Sequence, residues 1–335
     1  MTARGAGLRV AVIGATGTLG SDLLSVLEAR SFPLAELIPV ATERSMGRTV
    51  EFYGQSIPVE TDLSSLRGLG LAFLCVPASE ALEWVRAALH AEVPCIDLSG
   101  AVEGAAEVPL LVANLRPDPV DLLQPVIATP AGSALAWSLV LEPIHRSVGL
   151  RRVIGTAFEA VSGAGSAGIE SLQSEAIALF GQREVPEPTI FPHGIAFNCI
   201  PVVGEAGKGG ETEAEEALMR GLRRLLGTEL PLAVTAVRVP TFSGTGASIA
   251  VEVAEDLSAA ELSQLLAKSP GVAVPGDAMP WPSIREAAES EVVLVGRVRS
   301  DPSCERGLLF WLAADPVRLA ASNAVRLAES RFHVS

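Results

Sequence analysis

Residues Arg9 to Arg30 read RVAVIGATGTLGSDLLSVLEAR, and this stretch decides the fold. The apolar run from Val10 to Ile13 reads as a buried strand. Gly14, Gly17 and Gly20 follow at a spacing of three. Leu19, Leu23, Leu24 and Leu27 then recur on one face of a helix. Strand, glycine turn and helix form the first βα unit of a dinucleotide-binding fold. The glycines let the backbone turn tightly and approach a pyrophosphate, and the unpaired N–H groups of the helix N-terminus face that anion. The expected contacts are Gly14, Thr16, Gly17, Thr18, Leu19 and Gly20. The alternative is a tight βα turn that binds nothing.

Outward from this unit, Ala35 to Thr42 is a second strand, followed by Glu43-Arg44-Ser45. At this place an acid favours a free ribose 2′-OH, and an arginine accommodates a 2′-phosphate. Arg44 with Ser45 therefore points to NADP(H), with NAD less favoured; a solvated basic turn is the other reading. Arg48 to Glu60 reads as a hairpin around Gly54-Gln55. Leu69 to Val76 and Val93 to Leu98 are further buried strands, and Ser79 is the expected N-cap of a helix through His90. Alternating strands and helices of this kind give a doubly wound parallel sheet.

After the strand Pro125 to Ala128 and the helix Ala134 to Ser147, the pattern changes. Longer strands at Arg151 to Val161, Leu232 to Pro240, Ser248 to Ala254, Glu291 to Arg299 and Leu308 to Ala314 predict an α+β domain on a mostly antiparallel sheet. Gly204 to Glu216 reads as a mobile loop leading into a helix, and Pro270 to Pro282 as another loop. The expected domains are 1–130 and 131–315. A last helix, 316–331, capped by Asp315 with Pro316 in its first turn, is expected to pack back on the first domain.

A length of 335 residues favours two domains. Hydrophobic residues make up 49% and aromatic residues 4%, so the cores are built from Ala, Val, Leu and Ile. The net charge of −14 argues against nucleic acid and anionic membrane as main partners. No run approaches the roughly 18 apolar residues of a membrane span, and the first residues carry no signal-peptide pattern. Cys75, Cys95, Cys199 and Cys304 form no CxxC pair. A reduced cytoplasmic protein with small buried thiols and no metal site is the simplest account.

Several ordered segments together resemble one family. They are GATGTLG from Gly14, ATERSMG from Ala41, VPLLV from Val108 and AVSGAGSAGIE from Ala160, then IAFNCIP from Ile195, VRVPTFSG from Val237, VGRVRSDPS from Val295 and SNAVRLAE from Ser322. The resemblance is to aspartate-β-semialdehyde dehydrogenase and covers nearly the whole chain. It implies a Rossmann-like first domain, NADP as cofactor with Ser162 and Gly163 as further contacts, and a homodimer joined through the second domain. It also implies reductive dephosphorylation of aspartyl phosphate through a cysteine thioester, with a histidine acid–base, a glutamine, an arginine for the substrate carboxylate and cations for the phosphate.

The matching positions here differ. Gly132 stands at the cysteine, Glu159 at the glutamine, Thr245 at the histidine and Glu103 at a phosphate-binding arginine. The expected lysine is missing, Lys208 being the nearest, and Pro316 replaces a cofactor-binding asparagine. Only the carboxylate-holding arginine is kept, as Arg238. The expectation is therefore a catalytically degenerate paralogue that binds nucleotide and has a regulatory or assembly role. The alternative is an active NADP-dependent semialdehyde dehydrogenase using Ser133, with Thr245 as partner, although neither is a base. Cys199 is read as a small buried residue rather than a displaced nucleophile, and His193 as a solvated loop residue.

Overall fold

The structure is a computed structural model, described over residues 7–61, 66–227 and 229–334. The chain forms two compact units, one of residues 1–131 and 320–335, the other of residues 132–319.

The first unit contains, in order, β1 (Leu8–Ile13), α1 (Thr18–Ala29), β2 (Leu34–Val40), β3 (Thr49–Phe52), β4 (Gln55–Pro58), β5 (Leu71–Leu74), α2 (Ala78–His90), β6 (Cys95–Asp97), α3 (Pro119–Leu122) and β7 (Val126–Ala128). Its main sheet has the order β2-β1-β5-β6-β7, with every neighbouring pair parallel. Both faces of β1 and β5 are covered, which is why Val10–Ile13 and Leu71–Leu74 are apolar without alternation. Leu23, Leu24 and Leu27 of α1 join Val10, Val12 and Phe73 in the core.

Two local expectations are corrected. The β3–β4 turn is Tyr53-Gly54 rather than Gly54-Gln55; both turn residues have positive φ, 49° and 68°, as a tight primed turn requires. The residue leading into α2 is Pro77, and Ser79 lies inside the first turn without capping it.

The second unit contains α4 (Ala134–Val148), β8 (Leu150–Glu159), α5 (Gly165–Phe180), α6 (Glu213–Leu226), β9 (Leu232–Arg238), β10 (Thr245–Val253), α7 (Ala259–Ala267), β11 (Val272–Ala273), β12 (Val293–Ser300) and β13 (Gly307–Ala314). Its sheet order is β11-β12-β13-β10-β8-β9. The central pairs are antiparallel, but both outermost pairs, β11–β12 and β8–β9, are parallel. The chain reaches β9 from β8 through α5 and α6, a crossover long enough for parallel pairing. On β8 and β10, Val153, Gly155, Ala157, Ile249 and Val251 are buried. Gly155 is a packing requirement: a Cβ there would lie 2.4 Å from the fully buried ring of Trp137 in α4.

The expected loop 204–216 runs too far. Helix α6 starts at Glu213, and Thr212 and Glu215 close a capping box at its N-terminus. Glu215 also accepts from the Ala236 N–H at 2.7 Å, tying α6 to β9. The Pro270–Pro282 loop likewise includes the short strand β11. The last helix, α8 (Pro316–Phe332), is capped by Asp315, which accepts from the N–H groups of Val317 and Arg318. From Ala320 onward α8 belongs to the first unit, where Ala321, Ala324, Val325 and Ala328 enter the core. Asn323 adds a hydrogen bond from the Ala113 N–H at 2.8 Å and one to the Leu111 carbonyl.

Candidate functional site

The glycine loop has the geometry its spacing demands. Gly14 has φ +87°, and a Cβ there would meet the Cys75 carbonyl oxygen at 2.5 Å. A Cβ at Gly20 would meet the Gly14 oxygen at 2.2 Å, so this glycine lets α1 close on the loop. Gly17 is different: an added Cβ touches only the Gly14 oxygen, at 3.4 Å, and the residue is exposed at the start of α1. No side chain caps that helix. Gly14 and Gly20 are dictated by packing, and Gly17 leaves the helix N-terminus open to an anion.

The N–H groups of Gly14 and Ala15 both donate to the Val40 carbonyl, at 2.7 and 3.2 Å. The end of β2 therefore lies against the loop. A cavity of about 380 Å³ opens beside it, lined by Gly14, Thr16, Gly17, Thr42, Glu43 and Trp84 among others. These residues fit a dinucleotide.

Arg44 and Ser45 lie elsewhere than expected. Both belong to a single 3₁₀ turn, Glu43–Ser45, and within it Glu43 lines the cavity while Arg44 does not. Arg44 is exposed, and the buried Ser45 hydroxyl pairs with Thr16 Oγ1 at 3.1 Å. Glu43, Glu80, Glu83 and Trp84 drew no notice as site residues. The acid at the end of the second strand was the available signal, overshadowed by its basic neighbour.

In the second unit the residues named from the resemblance converge. Glu159 ends β8; Thr245 of β10 is its partner on one side and Arg238 of β9 its partner on the other. Ser133, at the head of α4, does not cap the helix with its hydroxyl. It donates instead to Glu159 Oε1 at 2.5 Å and lies 3.0 Å from Thr245 Oγ1, which is 3.3 Å from the same carboxylate oxygen. The expectation that Ser133 lacks a basic neighbour is corrected: its neighbour is a carboxylate. Burial pushes the Glu159 carboxyl up from its ordinary value, against the Ser133 hydrogen bond, the Arg238 charge and the Thr245 hydrogen bond. A raised value makes a carboxylate a stronger proton acceptor.

Arg238 is buried, donates through Nη1 to the Ala160 carbonyl at 2.5 Å, and lies over the Phe191 ring at 5.7 Å. Burial lowers its pKa, and Glu159 opposes that shift. Gly163 is needed for this placement, since a Cβ would come within 2.7 Å of Nη1. Ser162 shares its 3₁₀ turn and donates its N–H to the Phe242 carbonyl. Gly132 has φ +54° and open space where a side chain would project. Glu103 belongs to the first unit, buried and accepting from the Ala131 N–H.

The thiols divide. Burial, with a contribution from Asp97, pushes Cys95 up to about 12 and Cys75 higher still. Cys199 is exposed, not buried, because its neighbour Ile200 turns inward as its backbone pairs with Arg238. His193 and Lys208 are exposed loop residues.

Residues 9–123 match the model of the semialdehyde dehydrogenase NAD binding domain, and residues 141–319 that of the semialdehyde dehydrogenase dimerisation domain. The chain belongs to the aspartate-semialdehyde dehydrogenase family. It is 35% identical to the aspartate-semialdehyde dehydrogenase of Aquifex aeolicus, over 96% of this chain and 97% of that one. With the Bacillus subtilis enzyme of the same name it shares 31% identity, over 97% and 98%. The crystal structure of aspartate semialdehyde dehydrogenase II of Vibrio cholerae, complexed with ASA, superposes with a TM-score of 0.91 at 31% identity, covering 98% of this chain and 99% of that one. An NAD(P)-binding domain is thus present beside a dimerisation-type domain. Relatives of this length carry the names of enzymes. Among the described residues no helix is long and apolar enough to cross a membrane.

Proposed function

We propose that this chain is a nicotinamide-dinucleotide-dependent oxidoreductase that oxidises a small, carboxylate-bearing semialdehyde, with Ser133 as nucleophile and Glu159 as its base. The observation that carries this reading is the 2.5 Å hydrogen bond from the Ser133 hydroxyl to a desolvated carboxylate. Nucleophile and base within hydrogen-bond reach, the base positioned by a third group (here Thr245), is the arrangement an activated serine needs.

Glu159 takes the proton as Ser133 Oγ bonds to the aldehyde carbon. Arg238 presents guanidinium N–H groups to the substrate carboxylate. A nicotinamide dinucleotide held at Gly14–Gly20 supplies the hydride acceptor. Loss of hydride from the adduct leaves an acyl ester on Ser133; Glu159 releases its proton to solvent, then takes one from the attacking water and returns it to Ser133 Oγ as the acid leaves. With an acid at position 159, where the resembled family holds a glutamine, a second anion is disfavoured beside the acyl group, and water rather than phosphate is the acyl acceptor. The matching dimerisation-domain model supports a homodimer as the working form.

A second reading is favoured by Gly132 and Thr245, which provide neither a thiol nor an imidazole: the chain binds nucleotide without turnover. Phosphate-free assay of dinucleotide reduction with aspartate semialdehyde and its homologues separates the two. Turnover that falls about 10³-fold or more in both Ser133→Ala and Glu159→Gln is expected. No turnover by a protein shown by titration to bind dinucleotide leaves the second reading standing.

A further inference from the structure

We infer that the dinucleotide taken by the glycine-loop cavity is NAD(H) rather than NADP(H), and that Glu43 decides the choice. The inference rests on the reading that the cavity holds a nicotinamide dinucleotide, and it concerns only which one.

Glu43 comes directly after the segment that the Val40 carbonyl pins against Gly14 and Ala15. With Ala41 and Thr42 it lines the cavity just after β2, and it is the charged residue of the three, in the place where a dinucleotide fold meets the adenosine ribose. A carboxylate here accepts from a free 2′-hydroxyl. Toward a 2′-phosphate, which brings further negative charge and no donor at neutral pH, the same carboxylate is repulsive. The rest of the wall adds to this. Glu80 and Glu83 of α2 also line the cavity, and among the described residues neither lysine nor arginine does.

The two cations nearest in sequence do not answer the acids. Arg44 is exposed and absent from the wall. Arg48 lines a different cavity, with Ser21, Ser25 and Glu28 of α1. Ser45, the remaining candidate for a phosphate contact, has its hydroxyl engaged with Thr16. Among the described residues that line the cavity none is cationic, while three are carboxylates.

The test is calorimetric titration of the full chain with NAD, NADH, NADP and NADPH, without substrate. NAD(H) is expected to bind at least about tenfold more tightly than its phosphorylated counterpart in each oxidation state. Glu43→Ser is expected to narrow or reverse that ratio by about tenfold, mainly by weakening NAD(H). Glu43 is exposed, so this variant keeps the fold, and its circular dichroism should match the parent. Because Trp84 lines the cavity, quenching of its fluorescence should accompany binding and vanish in Trp84→Phe. Equal or tighter binding of NADP(H) by the parent chain overturns the inference. So does a loss of NADP(H) affinity, about tenfold and selective, in Arg44→Ala. Binding of neither dinucleotide removes the underlying reading as well, and is distinguishable from both results.

Discussion

Glu159 carries opposing demands in one side chain. Burial disfavours its charge, while Ser133, Arg238 and Thr245 favour it, and burial is the larger effect. A carboxyl whose folded pKa is raised holds its proton in the folded chain when the unfolded chain has already released it. Such a group lowers stability as pH rises through its ordinary value of 4.5 and on to the folded value. Glu159→Gln removes the titration and keeps an acceptor for Ser133. The melting temperature of this variant relative to the parent is therefore expected to rise over the range that begins at the ordinary value of 4.5 and extends upward. Thermal unfolding monitored across that range checks it; a gap that does not change with pH contradicts the assignment. The same substitution abolishes the proposed base, so stability and activity should move in opposite directions at neutral pH.

Between elements, the packing of α4 on the second sheet depends on the absence of one side chain. Trp137 is fully buried, and its ring occupies the space that a Cβ at Gly155 would need, 2.4 Å away. Neither a rigid indole nor the middle of a paired strand yields easily. Gly155→Ala is expected to cost about 1–3 kcal/mol, read as a lower urea midpoint with unchanged slope. In Trp137→Phe the ring is smaller, so the alanine should then cost less. A double-mutant cycle showing strict additivity of the two changes would count against this contact as the cause.

For the whole molecule, the face of the second sheet opposite its buried rows is open. Ile154 is 40% exposed, and Ala250, Leu309 and Trp311 on neighbouring strands are half-buried. The Phe158 and Trp311 rings meet on this sheet at 5.6 Å. An apolar sheet face of this extent, in a domain matching a dimerisation model, is expected to be covered by a second copy of the chain. Sedimentation at micromolar protein should give a species of twice the 34.8 kDa chain mass. Ile154→Asp should shift it toward the single chain by placing a charge in the contact. A parent protein that stays monomeric across that concentration range refutes the assembly.

Much of this was legible in the chain itself. The first βα unit follows from an apolar run, three spaced glycines and a helical stripe, all local in sequence. So does the cap of α8, where Asp315 precedes Pro316 and accepts from the next two N–H groups. What the sequence left undecided depends on contacts between distant residues or on which way one residue turns. Ser133 meets Glu159 and Thr245 across separations of 26 and 112 residues, through the register of β8 with β10 and the placement of α4. No local pattern encodes that register, so a serine without a neighbouring histidine read as a nucleophile without a base. Glu43 and Arg44 are adjacent, and successive residues of a 3₁₀ turn point about 120° apart. Sequence supplied both an acid and a base at the end of β2; the turn alone decided that the acid faces the cavity.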